Sequence, residues 1–150
     1  MTRFYDIDAA NDALAEVEPI LLALRDERRE LIRLRDRALA GAIGGDVGGA
    51  ADAAPGQSAR RQPPPGVADE PERLLRLRMQ GLVDRMQAGV ARLDELGVTL
   101  RDIETGLIDF AALAAGRQVW LCWRLGEGPI EWWHELDTGF SSRQRLIDLS

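Results

Sequence analysis

Two helical patterns of apolar residues, separated by a stretch rich in glycine and proline, occupy the first two thirds of the sequence. The first pattern covers residues 8–39, where apolar residues recur every three or four positions: Ala10, Leu14, Val17, Leu21, Leu24, Leu31 and Ala38. The second covers residues 69–96 with similar spacing: Leu75, Met79, Leu82, Met86, Val90, Leu93 and Leu96. Such spacing is typical of a helix that packs against another helix, as in a coiled coil.

The stretch between the two patterns, residues 40–68, is broken by many glycines and by the proline run Pro63–Pro65. It has too little apolar surface to offset the entropy lost on ordering, so we expect a flexible linker. Two helices of similar length joined in this way are expected to lie antiparallel as a long helical hairpin.

Capping residues support these helix boundaries. Asp8 is suited to cap the start of the first helix, and Pro19 predicts either a kink or a short helix that hands over to a longer one. Asp69 and Glu72 form a capping box at the start of the second helix, and Gly97 supplies its C-terminal stop.

After Gly97 the helical period gives way to short alternating segments. Residues 98–103 predict a short strand, and residues 106–110 predict a turn that leads into a second apolar segment. Residues 118–125 and 130–135 predict two strands joined by the turn Gly126–Pro129. We therefore expect a single α+β domain over residues 1–150, with a small antiparallel sheet and tail in residues 98–150 at the C-terminal end.

The register of the last hairpin decides which side chains share a face. If Gly126–Pro129 closes the hairpin tightly, Arg124 lies opposite Glu131, an opposite-charge pair that favours this register. Cys122 and His134 would then point to opposite faces of the sheet. A slip of one residue would bring both onto one face.

The overall charge and the cysteine count exclude several classes of protein. The formal net charge of −6 argues against a general nucleic-acid binder, which needs surplus cations. Cys122 is the single cysteine, so an intramolecular disulfide is excluded, and we expect a reducing compartment. No apolar run approaches the roughly 18 residues that span a bilayer, and residues 1–8 lack the apolar segment of a secretory signal. We expect a cytoplasmic protein that does not bind membranes.

Polar residues with metal-ligating chemistry are concentrated in the C-terminal third. They are Asp109, Cys122, Glu127, His134 and Glu135. Thiolate, imidazole and carboxylate groups are ligands for zinc and related transition metals. The spacing matches no familiar metal motif, however, and there is one histidine. The structural alternative is that His134 bonds to the edge of the sheet while Asp109 pairs with Arg143. A nucleophilic role for Cys122 is disfavoured, because neighbouring tryptophans would raise the pKa of the thiol.

Four tryptophans in one hairpin exceed what a small core commonly needs: Trp120, Trp123, Trp132 and Trp133. Tryptophan is enriched at binding hot spots. We favour a role in the core together with an interface, formed by Trp120 and Trp133, over a ligand pocket.

Several motifs in fixed order carry a family resemblance. They are Tyr5-Asp6-Ile7, Ala10-Asn11, Gly106-Leu107-Ile108-Asp109-Phe110, Leu121-Cys122-Trp123-Arg124-Leu125-Gly126-Glu127, Trp133-His134-Glu135 and Gly139-Phe140 followed by Arg143-Gln144. In this order they resemble the bacterial family known as domain of unknown function 2203. The family pattern often has glycine where this chain has Ser142. The resemblance implies a helical hairpin with a small sheet and no assigned activity.

Two functional hypotheses follow from these patterns. The sequence favours a non-enzymatic interaction or assembly module that binds a second copy of itself or a protein partner through its helices and tryptophans. The alternative is a protein, conceivably an enzyme, that binds a metal or a small molecule through Cys122, His134 and the nearby carboxylates. Neither hypothesis identifies a catalytic residue, and only the second names a cofactor class, a transition metal.

Overall fold

A computed structural model describes residues 3–51 and 70–148 of the chain, with the side chains of residues 42–51 and 148 left undescribed. Helix α1 spans Ile7–Ala51 and helix α2 spans Glu70–Glu95. Five strands follow: β1 (Val98–Asp102), β2 (Leu107–Ala114), β3 (Arg117–Arg124), β4 (Trp132–His134) and β5 (Gln144–Arg145). They form one antiparallel sheet in the order β1-β2-β3-β4-β5. The predicted class, two helices followed by a small antiparallel sheet, is confirmed.

The ends of α1 differ from those that the sequence pattern predicts. The cap is Asp6, whose carboxylate accepts a 2.7 Å bond from the Ala9 amide, so the helix includes Asp8. The helix continues through Pro19 as one element, without a handover to a second helix. It ends at Ala51, where we predicted an end near Leu39.

The longer α1 has a physical reason. Extending an existing helix fixes one residue per added hydrogen bond and avoids the cost of nucleation, and no proline interrupts the chain between Pro19 and Pro55. Glycine lowers helix stability but does not block the helix as proline does. The remainder of the predicted linker, residues 52–68, and Asp69 of the predicted capping box lie outside the described residues. Gly97 follows α2 with φ +74°, as predicted for a helix stop.

The chain divides into two compact units. The first, here called the sheet unit, comprises Met1–Arg28 and Arg85–Ser150, and the second, the helix unit, comprises Arg29–Asp84. In the sheet unit the two helices run antiparallel, since Glu16 pairs with Arg92 and Glu27 pairs with Arg85.

The helix unit holds the other halves of both helices. Here too the pairing is antiparallel, because Leu31 and Met79 line one groove while Ala38 and Leu75 line the next. Among the described residues no helix is long and apolar enough to cross a membrane.

The two faces of the sheet have different roles. One face packs against the helices of its own unit through a continuous apolar core that includes Val17, Leu21, Phe110, Leu121 and Trp123. The strand pairing places the opposite set of side chains on the other face. That set includes Asp109, Cys122 and His134.

The observed register of β3 and β4 is the slipped one. Cys122 lies opposite Trp132 and Trp120 lies opposite His134, so the tight-turn register was wrong. The reason is a contact with a distant part of the chain. Ile130 is buried, and its amide donates a 2.7 Å bond to the Asn11 side chain on α1, so it is not opposite Leu125.

Candidate functional site

Three buried polar side chains meet on the face of the sheet away from the core. Asp109 on β2, Cys122 on β3 and His134 on β4 are 2%, 1% and 3% exposed. One potential ligand atom from each lies within 4.8 Å of the others. Asp109 and Cys122 are direct cross-strand partners, and the slipped register adds His134 from the next strand.

The His134 ring is held at both nitrogens. Nδ1 lies 2.8 Å from the backbone oxygen of Glu135, and a carbonyl can only accept, so Nδ1 carries a proton and donates it. Nε2 lies 3.0 Å from each carboxylate oxygen of Asp109. This hydrogen-bond pattern fixes the ring orientation and aims Nε2 at the cluster.

Asp109 has a second cationic neighbour. The Nε atom of Arg101 on β1 donates a 2.8 Å bond to Asp109 Oδ2. The Arg101 guanidinium also stacks over the Trp120 ring, 5.0 Å from its centroid. These contacts orient the carboxylate and partly offset the cost of burying its charge.

The thiol of Cys122 is buried beside a negative charge. Burial, followed by the charge of Asp109, raises the pKa of the Cys122 thiol to about 11, although the nearby Arg143 acts in the opposite direction. The free thiol is therefore protonated at neutral pH and is a weak nucleophile. The sequence attributed a raised pKa to neighbouring tryptophans and did not indicate Asp109 as a cause.

Arg143 forms a second cluster next to the first. Its guanidinium donates to both carboxylate oxygens of Glu127, at 3.1 and 2.7 Å. It is also stacked over the rings of Trp132 and Phe140, 4.4 and 4.2 Å from their centroids. A bidentate, half-buried pair of this kind fixes the loop residue Glu127 in one orientation.

A cavity of about 350 Å³ gives access to the buried cluster. Its lining includes Asp109, Cys122 and His134 together with Arg101, Thr138 and Phe140. The three cluster residues therefore line one cavity together with polar and aromatic side chains, as the residues of ligand sites commonly do.

The other carboxylates predicted as metal ligands have partners of their own. Glu127 pairs with Arg143 and Glu135 pairs with Arg117. Of the five predicted ligands, the cluster of potential ligand atoms contains Asp109, Cys122 and His134. The predicted pairing of Asp109 with Arg143 was wrong, because Asp109 bonds to Arg101 and His134 instead.

The two tryptophans predicted at an interface differ in exposure. Trp133 is 4% exposed and belongs to the apolar core, whereas Trp120 is half-buried on the opposite face. Their role at an interface stays a prediction.

Sequence reasoning missed Arg101. An arginine near the end of a five-residue edge strand looks like an ordinary solvated residue. The pairing of Thr99 with Asp109 is what places Arg101 on the same face as the cluster. Arg101 lies where the register shifts between Leu100 and Asp102 and strict alternation is interrupted, so the sequence held no direct signal for this contact.

Comparisons with known proteins show one match. A family model described as "Uncharacterized conserved protein (DUF2203)" matches residues 3–146, nearly the whole chain, and confirms the resemblance carried by the motifs. No curated protein and no solved structure matches the chain significantly.

Proposed function

The chain belongs to DUF2203, a family of uncharacterised conserved proteins, and from the geometry of its buried cluster we propose that it binds a transition metal of the zinc type. Asp109, Cys122 and His134 are the proposed ligands, a carboxylate, a thiolate and an imidazole. The sequence favoured an interaction module and gave metal binding as the alternative. The buried cluster leads us to propose the alternative.

The observation that carries the proposal is the arrangement around His134. Its Nδ1 donates a proton to the Glu135 carbonyl, and its Nε2 faces two carboxylate oxygens of Asp109, each 3.0 Å away. A ring nitrogen and a carboxylate at that distance share a cation, which is either a proton, as in an ordinary hydrogen bond, or a metal ion. A histidine that donates its other N–H to a backbone carbonyl is also the usual arrangement of a metal ligand.

The distances support the same assignment. Around a tetrahedral zinc ion, nitrogen and oxygen ligands at normal bond lengths lie roughly 3.3 Å apart. His134 Nε2 lies 3.0 Å from Asp109, which is also an ordinary hydrogen-bond length, and the ligand atoms of all three residues lie within 4.8 Å of one another, so side-chain rotations would bring them to the spacing of a metal site. The Arg101–Asp109 bond supplies the outer support that metal-binding carboxylates commonly have.

Three protein ligands leave the fourth position of a tetrahedral zinc ion open. Glu127 and Glu135 each pair with an arginine, so neither is proposed as the fourth ligand here. Zinc sites with three protein ligands and an open position are the catalytic kind, in which the metal activates a bound water. The proposed role of the metal is therefore Lewis-acid chemistry at the cavity. A thiolate ligand stays reduced in the cytoplasm, which is the compartment we propose.

The test is elemental analysis of untagged protein purified without chelators from zinc-supplemented cells. We expect close to one metal ion per chain in the wild type, and loss of most of it in Cys122→Ser and His134→Ala. Glu135→Gln, a carboxylate variant outside the cluster, should keep its metal. A metal-free wild type, or equal metal content in all variants, would reject the proposal.

A second candidate function, the interaction module, is favoured by the helix unit. Leu39, Leu74 and Leu77 there are 55%, 50% and 59% exposed. Leucines this exposed on two neighbouring helices are typical of a helical partner site. Light scattering would test it: the double variant Leu74→Ser/Leu77→Ser should reduce the mass of any assembly, as should Trp120→Ala if that tryptophan lies at the interface. A wild-type monomer that captures no second copy would exclude self-assembly.

A further inference from the structure

The cavity at the proposed metal site is also lined by a guanidinium group that is not one of the proposed metal ligands. Arg101 lines the cavity, and its side chain is 43% exposed. Its Nε atom is bonded to Asp109, but within the described part of the chain its two terminal nitrogens have no hydrogen-bond partner. These atoms form the half of a guanidinium that binds carboxylates and phosphates in a bidentate manner.

Arg101 is also held in place before any ligand arrives. The bond to Asp109 fixes one end of the guanidinium, and the Trp120 ring supports its plane at 5.0 Å. A guanidinium already positioned by such contacts loses less conformational entropy when it binds an anion.

A second arginine adds positive charge beside the cavity. Arg124 stacks over Phe140, a lining residue, 5.2 Å from the ring centroid. Among the described residues its guanidinium has no acidic partner, unlike that of Arg143, which is neutralised by Glu127. The lining also contains two carboxylates, the buried Asp109 and the exposed Asp137. The two charges of a divalent metal would be balanced by Asp109 and the Cys122 thiolate, and Asp137 opposes Arg101, so the positive charge at the cavity comes from Arg124 beside it.

We infer that the cavity binds a small oxyanion, a carboxylate or a phosphate group, between the metal and Arg101. One ligand oxygen would occupy the open metal position, and the Arg101 terminal nitrogens would bind the remaining oxygens. A cavity of about 350 Å³ lies at the small end of the range for ligand sites, so the ligand is a small molecule. This inference rests on the proposed metal site and names its substrate class.

The experiment uses the full chain loaded with Co²⁺, whose absorption spectrum reports separately on the site and on its ligand. A cobalt–thiolate band in the near ultraviolet, absent in Cys122→Ser, shows that the metal site exists. Titration with inorganic phosphate and, separately, with acetate is followed in the visible bands, which depend on the fourth ligand. Tighter binding of phosphate than of acetate would assign phosphate groups, and the reverse order would assign carboxylates.

Arg101 variants test the bidentate contact. We expect Arg101→Met to weaken anion binding about ten-fold or more and Arg101→Lys to weaken it less, because lysine keeps the charge but lacks the two-pronged geometry. Both variants should retain the cobalt–thiolate band. Arg117→Met, which removes an arginine outside the cavity lining, should bind anions like the wild type.

Loss of the anion site and loss of the metal site would give different spectra. A cobalt–thiolate band together with visible bands that no anion changes, or equal anion affinity in wild type and Arg101→Met, would overturn the inference and leave the metal site standing. Absence of the thiolate band in the wild type would reject the metal site, and the inference with it.

Discussion

The sheet unit and the helix unit are built from the same two helices but differ in how much they bury. In the sheet unit the helices share one continuous core with the sheet, containing large side chains such as Phe110 and Trp123 that are almost fully buried. Among the described side chains of the helix unit, the buried apolar ones are Leu34 and Leu82. Two helices alone bury a narrow apolar stripe, whereas a sheet covers a whole face of each helix segment.

This difference predicts where the stability of the protein lies. The helix unit has ion pairs such as Arg33–Glu30 and Arg73–Glu70. These pairs are largely exposed and add little to the free energy of unfolding, because water screens them. The proposed site, in contrast, lies on strands whose other face is the core. A rigid site and a deep core therefore belong to the same unit, as ligand positioning requires.

The largest expected effect is the loss of free energy of unfolding when a core side chain of the sheet unit is truncated. Phe110 is fully buried and meets the Tyr5 ring edge to face at 5.0 Å. Phe110→Ala should lower the free energy of unfolding by about 3–5 kcal/mol, while Leu77→Ala, at an exposed position of the helix unit, should change it by less than about 0.5 kcal/mol. Urea denaturation followed by circular dichroism measures both. Equal losses would mean that the helix unit carries as much stability as the sheet unit.

The next effect concerns a backbone position in the sheet unit. Gly106 has φ +65°, and a Cβ there would lie 2.4 Å from side-chain atoms of Leu125. Gly106→Ala should cost about 2–3 kcal/mol from strain and overpacking together. The matched control is Gly116→Ala, where φ is +77° but the space is open, so that only about 1 kcal/mol of strain is expected. If thermal melting shows the same loss for both, the contact with Leu125 is unimportant.

A comparison of two equally buried leucines sharpens the contrast. Leu24 in the sheet unit and Leu34 in the helix unit are each 1% exposed. We expect Leu24→Ala to cost about 1–2 kcal/mol more than Leu34→Ala, since a thin helix pair can relax around a lost side chain more easily than a packed core. Denaturant midpoints of the two variants provide the measurement. A larger cost for Leu34→Ala would reverse the ranking of the units.

The smallest expected effect is a gain in stability. Ala115, in the turn between β2 and β3, has φ +52°, the one non-glycine residue with positive φ among the described residues. Asparagine tolerates this conformation better, so Ala115→Asn should stabilise the protein by about 0.5–1 kcal/mol. Ala115→Val, which is β-branched, should destabilise it. Melting temperatures that move in the opposite directions would contradict the assigned turn.

Periodicity predicted the helices and strands because burial on one face imposes it directly. It did not predict the end of α1 near Ala51, since propagation of a formed helix depends on what precedes it. It also favoured the wrong hairpin register, because a local charge pair, Arg124 with Glu131, was outweighed by a distant contact, Asn11 with Ile130. Local patterns carry no information on such contacts.

The candidate site was predictable in composition and unpredictable in arrangement. Asp109, Cys122 and His134 were among the five predicted ligands because their side-chain chemistry is visible in the sequence. Their convergence depends on the register, and the exclusion of Glu127 depends on Arg143, a partner 16 residues away. Which carboxylate is neutralised by an arginine is decided only in the folded chain.

The bond between Asn11 and Ile130 also bears on how the chain folds. It joins positions 119 residues apart, and the Tyr5 amide makes a comparable link to the Ala111 carbonyl. Forming contacts of such long range costs loop-closure entropy before any favourable interaction is made. We therefore expect the protein to fold more slowly than an isolated helical bundle. During synthesis the apolar face of α1 stays exposed until α2 and the sheet that cover it have left the ribosome. We therefore expect the N-terminal helix to be the part of the nascent chain most in need of chaperones.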